Sequence, residues 1–421
     1  MEETRIILRN AGKMNPVSST EYAATGGYLA LKRAITTPDK VIPLIKEAGV
    51  RGRSGSGFPV GLKWEHVKNA NSTGQKYIVC NADEGEPGTG KDRLIMMEDP
   101  HSMIEGMAIC SVAVGADKGY IYLRREYPYI QDTLEKTIKD AYDNGYIGKS
   151  VMNSAFSFDI ELRVGQGSYI CGEETGMLES IEGERGEPRY KPPYPSTEGL
   201  WGKPTVVNNT ETFCNIPIII HNGPLEYRKY GTENCPGTKL ITLSGHISNP
   251  GVYEFPIGTP IRVLFEEVGG GCPNGKKLLG MQTGGGSGAI VGTTVLDTMF
   301  DIEHCAEAGA VFGTGDIMFF NEDTCIIGLC RNIMEFFSKE NCGKCTPCRI
   351  GCERILYILK KVENGHGDAE DLKKLVDLGH YMKESSLCGL GQTAPIPVLT
   401  ALKNFRDVFE ARLADKNALY V

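Results

Sequence analysis

Cys342, Cys345 and Cys348 stand at two-residue intervals in Cys342-Gly-Lys-Cys345-Thr-Pro-Cys348. That spacing lets three thiolates converge on one metal site from a single tight loop. Pro347 presets a helical φ for the turn that follows, which places Cys348 near a helix N-terminus, where backbone N–H groups favour a thiolate over a thiol. Lys344 and Arg349 add positive charge around the sulfurs. Two cysteines compete for the fourth position. Cys352 completes a Cys-x2-Cys-x2-Cys-x3-Cys run, but Glu353 stands where the ferredoxin motif has proline. In two-cluster ferredoxins the fourth cysteine also serves a second cluster, and no second run exists here to build one. Cys388, in Ser386-Leu-Cys-Gly-Leu-Gly391, lies in a glycine-flanked turn able to fold back, and it is the expected ligand. Cys352, one helical turn beyond Cys348, is expected as a small buried side chain. Four cysteines could equally hold structural zinc, and spacing alone does not decide. Zinc sites usually pair two Cys-x2-Cys units, or one with histidines. Three cysteines in one loop plus one remote cysteine suit a cubane, whose corner irons each take one thiolate.

Three loops carry other chemistry. Gly52-Arg53-Ser-Gly55-Ser-Gly57-Phe58-Pro59 exposes backbone N–H groups to an anion, with Arg53 and Lys63 nearby to supply charge. It is not the Gly-x-Gly-x-x-Gly fingerprint, because Val60 takes the third glycine's place, and taken alone an ordinary flexible turn explains it as well. Gly85-Glu-Pro-Gly-Thr-Gly90-Lys91-Asp92 follows the P-loop pattern until Asp92 replaces its Ser or Thr. Asp83, Glu84 and Glu86 surround it and would repel a triphosphate, which argues against an NTPase. The same carboxylates follow a strand, Tyr77-Ile-Val-Cys80, at the strand end where α/β sheets bind ligands. There they can accept hydrogen bonds from sugar hydroxyls or ring N–H groups, although a solvated acidic turn is the plainer reading of the loop alone. Gly165-Gln-Gly167-Ser-Tyr-Ile-Cys-Gly172-Glu173-Glu174-Thr175 again joins a strand to a helix, and Val206-Val207-Asn208-Asn209-Thr210-Glu211-Thr212 offers adjacent amides.

The elements that must position these groups follow from pattern. Strand-like Tyr77-Ile-Val-Cys80, Gly119-Tyr-Ile-Tyr-Leu123 and the alternating Phe158-Asp-Ile-Glu-Leu-Arg-Val164 are separated by helical stretches around 103–114 and 129–142, which predicts an α/β unit with a substantially parallel sheet. Residues 183–204, rich in proline and glycine, read as a long ordered loop or binding arm. After a polar break at 231–237, Lys239-Leu-Ile-Thr-Leu243, Gly251-Val-Tyr-Glu-Phe255, a helix at 261–268 and Lys277-Leu-Leu-Gly-Met281 predict a small α+β module. From about 326 the pattern turns helical, with helices at 350–362, 369–382 and 397–413. A chain of 421 residues suffices for two or three domains. A net charge of −8 argues against a nucleic-acid binder. Ile216-Pro-Ile-Ile-Ile220 is far too short for a membrane span, and Met1-Glu-Glu-Thr-Arg5 lacks signal-peptide character. Fourteen cysteines in that context suggest reduced thiols and metal ligands, hence a cytoplasmic metalloprotein.

Taken in chain order, the Gly52 loop, Asn81-Ala-Asp-Glu-Gly-Glu-Pro-Gly-Thr, Tyr169-Ile-Cys-Gly-Glu-Glu-Thr, Lys191-Pro-Pro-Tyr-Pro, Val207-Asn-Asn-Thr-Glu-Thr and the Cys342 loop form a combination. With it, nearly the whole chain resembles the family of NADH-binding flavoprotein subunits. That family includes the 51 kDa subunit of respiratory NADH:quinone oxidoreductase and the diaphorase subunits of soluble hydrogenases and formate dehydrogenases. The resemblance implies a Rossmann-like FMN and NADH domain over 1–235, a ubiquitin-like β-grasp module over 236–325, and a C-terminal four-helix bundle with a [4Fe-4S] cluster over 326–421. By the same resemblance Gly52, Arg53, Gly55 and Lys63 hold the FMN phosphate and ribityl chain. Asn81, Asp83, Gly172, Glu173, Val207, Asn208, Asn209 and Thr212 line the rest of the flavin site. Glu84, Glu86, Glu174 and Lys191 face the nicotinamide nucleotide, with Glu86 taken as the catalytic-site residue and Phe58 and Tyr194 as aromatic surface. Cys342, Cys345, Cys348 and Cys388 ligate the cluster. Ser54 and Ser56 replace the usual glycine and alanine, and His66 stands where an aromatic commonly stacks on adenine. The implied reaction is hydride transfer from NADH to FMN and single-electron transfer to the cluster. Ser386-Leu-Cys-Gly-Leu-Gly-Gln-Thr-Ala-Pro395 looks closest to the hydrogenase and formate dehydrogenase members. Cysteine runs for further clusters are absent at both ends, so a thioredoxin-like [2Fe-2S] subunit and a hydrogenase or other iron–sulfur subunit are the expected partners. Respiratory or formate dehydrogenase membership is the alternative. A zinc-stabilised nucleotide-binding scaffold is the rival of a different class.

Overall fold

Strands β1 (Tyr77–Ala82), β2 (Lys118–Leu123), β3 (Asp159–Val164) and β4 (Thr205–Asn209) form a wholly parallel sheet in the order β3-β2-β1-β4 in the computed structural model, which describes residues 2–70 and 74–414. Each crossover carries a helix, as parallel pairing demands. The first of these, Pro100–Val114, is apolar almost all round and correspondingly buried on nearly every side. It starts at Asp99, whose carboxylate accepts from Ser102 N–H, and stops at Gly115 with φ +75°. Pro128–Asp143 joins β2 to β3, with one apolar face inward. The strand order reverses about β1, with β2 on one side and β4 on the other. The crevice beyond the carboxyl ends of β1 and β4 is therefore the topological switch point where such sheets bind ligands.

Alternation along β1 divides the interior. Ile78, Cys80 and Ala82 enter the core shared with the helices Leu29–Thr36, Pro38–Ala48 and Pro100–Val114. Val79, with Tyr120, Tyr122 and Val207, enters a second core with Met177, Ile290, Phe337 and Cys348. The second sheet has the order β6-β5-β9-β7-β8, from β5 (Thr238–Gly245), β6 (Gly251–Pro256), β7 (Leu278–Thr283), β8 (Ala289–Gly292) and β9 (Asp316–Asn321). β5 and the central strand β9 pair parallel, and the other pairs are antiparallel. Long helices Ile326–Glu340, Thr346–Glu363, Ala369–Ser385 and Ile396–Asn404 follow and pack pairwise.

The expected elements recur within a few residues, with three differences. Strands β4, β8 and β9 and the helices between Ser19 and Asn69 are not among the expected elements. The expected helix at 397–413 breaks at Phe405 into Ile396–Asn404 and Arg406–Glu410. The stretch 183–204 contains short helical turns, Pro195–Glu198 and Leu200–Gly202. The ends of the expected ranges 1–235 and 326–421, residue 1 and residues 415–421, lie outside the described residues.

Candidate active site

The glycine loop leads into the helix Val60–Asn69 at the edge of the crevice. Gly57 has φ +61°, and a Cβ there would come within 2.6 Å of Ile302 Cδ1, so only glycine fits. Arg53 anchors the loop: its backbone N–H donates to Thr212 Oγ1 at 2.9 Å, and its guanidinium donates to Tyr227 OH at 2.9 Å and Pro236 O at 2.8 Å. The side chain is thus a buried brace, with its Nε–H shut from solvent and without a partner among the described residues. Lys63 Nζ donates to Val207 O at 3.0 Å and lies 3.5 Å from Glu174 Oε2. Trp64 Nε1 donates to Asn208 Oδ1 at 3.1 Å.

Glu173 caps the helix Glu174–Glu182, accepting from the N–H groups of Thr175 and Gly176 at 2.8 and 2.9 Å. Lys191 Nζ bridges Glu173 and Glu174, at 2.9 Å from each. Burial works to raise the Glu174 pKa, but Lys63 and Lys191 together outweigh it and hold the carboxyl below its ordinary value. Asn81 Nδ2 donates to Gly172 O at 2.8 Å, and Asp83 lies against Gly172. Asp83 Oδ2 is buried without a partner, and burial pushes this carboxyl up to about 7. Phe58 and Tyr194 are exposed aromatics. Direct contacts thus bring together Lys63, Asn81, Asp83, Gly172, Glu173, Glu174, Lys191 and Val207, with Asn208 joined through Trp64, whereas Gly52 and Gly55 neighbour Phe58 and Gly313.

Other expected residues serve differently. Glu84 turns inward: its carboxylate accepts from the N–H of Asp92 at 2.8 Å, the N–H of Arg93 at 3.1 Å and Tyr127 OH at 2.9 Å. Its carboxylate thus satisfies the first turn of the helix Lys91–Glu98. Asn209 caps the helix Thr210–Asn222, while its amide is held by Lys91 Nζ at 3.0 Å and Asp92 Oδ2 at 2.7 Å. Lys91 is thereby explained without a triphosphate. It sits in a buried ion network in which Glu211 Oε2 lies 3.1 Å from Lys91 Nζ and 2.6 Å from Lys239 Nζ. Burial lowers Lys239 to about 8. Sequence reading missed Lys239, Glu211 and Tyr169 as working residues; the hydroxyl of Tyr169 donates to Glu86.

Cys342, Cys345, Cys348 and Cys388 line one small pocket together with Ile170, Pro188 and Lys344. Cys345 and Cys388 are the N-cap residues of Thr346–Glu363 and Gly389–Thr393, as glycine and proline placement predicts. Cys352 is fully buried away from that lining, which supports Cys388 as fourth ligand. The neighbouring Cys352 thiol and burial push Cys348 up, burial pushes Cys342 up, and burial takes Cys388 to about 11. All four cysteines line the same pocket, and a donor set of four thiols fits a cubane. Asp83 Oδ2, beside Gly172 and without a partner among the described residues, is a buried acceptor of the kind a flavin ring N–H would satisfy.

A parallel sheet with a glycine-lined crevice at its switch point, packed against a cavity of four cysteines, defines a flavoprotein that carries an iron–sulfur centre. Residues 45–218 match the Nuo51 FMN-binding domain, 240–290 the SLBB domain, and 328–412 the NADH-ubiquinone oxidoreductase-F iron-sulfur binding region. The NADP-reducing hydrogenase subunit HndC of Solidesulfovibrio fructosivorans is 44% identical over 99% of this chain and 84% of its own. An NADH-quinone oxidoreductase subunit of Rhizobium meliloti (strain 1021) is 42% identical over 98% of both chains. The crystal structure of an NAD+-reducing [NiFe]-hydrogenase in the H2-reduced state superposes with a TM-score of 0.85 at 34% identity, over 96% of this chain and 68% of that one. The chain belongs to the family of NADH-binding flavoprotein subunits. It is an NADH-oxidising oxidoreductase subunit whose cofactors are FMN and a [4Fe-4S] cluster.

Proposed function

We propose that this chain is the NADH module of a multi-subunit hydrogenase, soluble and cytoplasmic, working beside a thioredoxin-like [2Fe-2S] subunit and a hydrogenase or other iron–sulfur subunit. Among the described residues no helix is long and apolar enough to cross a membrane. Its likeness to HndC and to the NAD+-reducing hydrogenase supports this context, and its likeness to the Rhizobium meliloti protein keeps NADH:quinone oxidoreductase as the second reading. The five-stranded sheet is read as a β-grasp module and the C-terminal helices as a four-helix bundle.

When bound, FMN accepts a hydride and releases electrons singly, which is the chemistry this crevice must accommodate. The chain's own part is to bind, orient and exclude water. Gly52, Gly55, the Arg53 Nε–H and Lys63 hold the phosphate and ribityl end. Asn81, Asp83, Gly172, Glu173, Val207 and Asn208 line the ring end, while Asn209 and Thr212 fix the floor. Glu86, Glu174 and Lys191 meet the nicotinamide nucleotide, with Phe58 and Tyr194 as stacking surface. Cys342, Cys345, Cys348 and Cys388 hold the cluster.

The carrying observation is the crevice and the four-thiol cavity sharing one core. The decisive test is the visible spectrum of anaerobically purified protein: a flavin band and a broad iron–sulfur shoulder, both bleached by NADH. Colourless protein containing zinc and no iron would establish the scaffold reading instead. Glu174, held ionised between two lysines, repels a 2′-phosphate and should set NADH over NADPH. The Glu174→Ala variant is expected to shift the ratio of kcat/KM values toward NADPH by about tenfold, the order of one lost charge contact. An unchanged ratio removes Glu174 from that role.

A further inference from the structure

Glu86 projects from the loop after β1, yet it is held by groups from two other parts of the molecule. One carboxylate oxygen accepts from the hydroxyl of Tyr169, and the other accepts from the backbone N–H of Ser287 at 2.6 Å. Ser287 belongs to Gly284-Gly-Gly-Ser-Gly288, the turn between β7 and β8 in the five-stranded sheet. A Cβ at Gly285 would stand 2.5 Å from Glu86 Cγ, and one at Gly286 would stand 3.1 Å from the ring of Pro87. The turn can reach the acidic loop only because it is bare of side chains. It is itself fixed: Gln282 Nε2 donates to Gly286 O at 3.0 Å, and Gly284 N–H donates to Asp316 O at 2.8 Å. A carboxylate has about four acceptor positions. Three donors act on it here, the Tyr169 hydroxyl, the Ser287 N–H and the Ser287 side chain, which leaves about one position for a hydroxyl or amide donor of a ligand.

We propose that the glycine turn 284–288 is a positioning element of the nicotinamide-nucleotide site. It clamps Glu86 through the Ser287 N–H and the close seat of Gly285, so that the remaining acceptor position is aimed at the nucleotide. The five-stranded module thus takes part in substrate recognition without touching substrate, and its seat on the parallel sheet sets nucleotide affinity. This rests on the reading that Glu86 meets the nucleotide.

The test is a calorimetric titration of the FMN- and cluster-loaded chain with NAD+, which binds without turnover. Glu86→Gln is expected to weaken NAD+ about tenfold. Gly285→Ala is expected to weaken it about five- to tenfold, with FMN content and the iron–sulfur spectrum unchanged. In the double variant the two effects should not add, because both act through one carboxylate. Gly286→Ala, a milder push on the same turn at a residue without left-handed backbone, should weaken binding about threefold and decides the matter if Gly285→Ala does not fold. If the glycine variants bind NAD+ within twofold of the parent, or add fully to Glu86→Gln, the clamp is refuted while the role of Glu86 stands. If Glu86→Gln itself binds normally, the role of Glu86 falls and the clamp with it.

Discussion

The flavin crevice and the cysteine cavity lie side by side but are built on opposite terms. Around the crevice nearly every charge already has a partner from the chain: Glu173 and Glu174 with Lys191, Glu211 with Lys239 and Lys91, Arg53 with Tyr227 and Pro236. Around the cavity the thiols have pKa values raised by burial and by one another, and Lys344 is the one cation in the lining. The crevice is organised by the protein before any cofactor arrives. The cavity needs the charge of iron to keep its sulfurs ionised. Orientation is encoded in one region, and in the other only placement.

Removing a cluster ligand sharpens that contrast most. Cys388→Ala should lose its iron while retaining FMN, as measured by metal and flavin analysis, and Cys352→Ala should keep both; the reverse pattern would exchange their roles. Next in size is Glu211→Gln, which leaves Lys91 and Lys239 buried without their shared anion. Breaking such a pair costs about 3–5 kcal/mol, read from denaturant unfolding. A loss below about 1 kcal/mol would mean the network does not organise the crevice floor. The smallest effect is at Asp83, and it depends on pH. Its folded pKa of about 7 lies above the ordinary 3.8, so the unpartnered carboxylate lowers stability progressively as pH rises from about 4 through 7. Asp83→Asn should therefore stabilise the cofactor-free chain by about 2–4 kcal/mol at pH 8 and by almost nothing at pH 4. A pH-independent difference would show that folding does not shift the Asp83 carboxyl.

The same division marks what the sequence could disclose. Strands β1 to β3 were legible because short apolar runs alternate with helical periods, and the cysteine set because its spacing is itself the geometry. β9 was not, since Asp316–Asn321 is a short run whose partners β5 and β7 are set by long-range pairing. Nor could local pattern separate Glu84 from Glu86. They stand two residues apart in one acidic loop, yet one caps a helix from inside and the other reaches a distant module. Lys91 was ambiguous for a related reason: a glycine-flanked lysine before a helix suits a phosphate or a buried carboxylate, and only the arrival of Glu211 and Asn209 decides. Local rules gave the loops and their ligand classes. Side-chain direction came from tertiary packing.

Tyr169 and Ile170 are consecutive residues, yet the first holds Glu86 at the crevice and the second lines the sulfur-bearing cavity. The partition between the Glu86 loop and the cysteine pocket is thus, at this point, a single thickness of polypeptide. Neighbouring Cα atoms are about 3.8 Å apart, and Ile170 is part of the close-packed core that includes Cys348 and Phe337. The separation of the Glu86 loop from the cysteine pocket is consequently set here by covalent geometry and tight packing, not by a hinge.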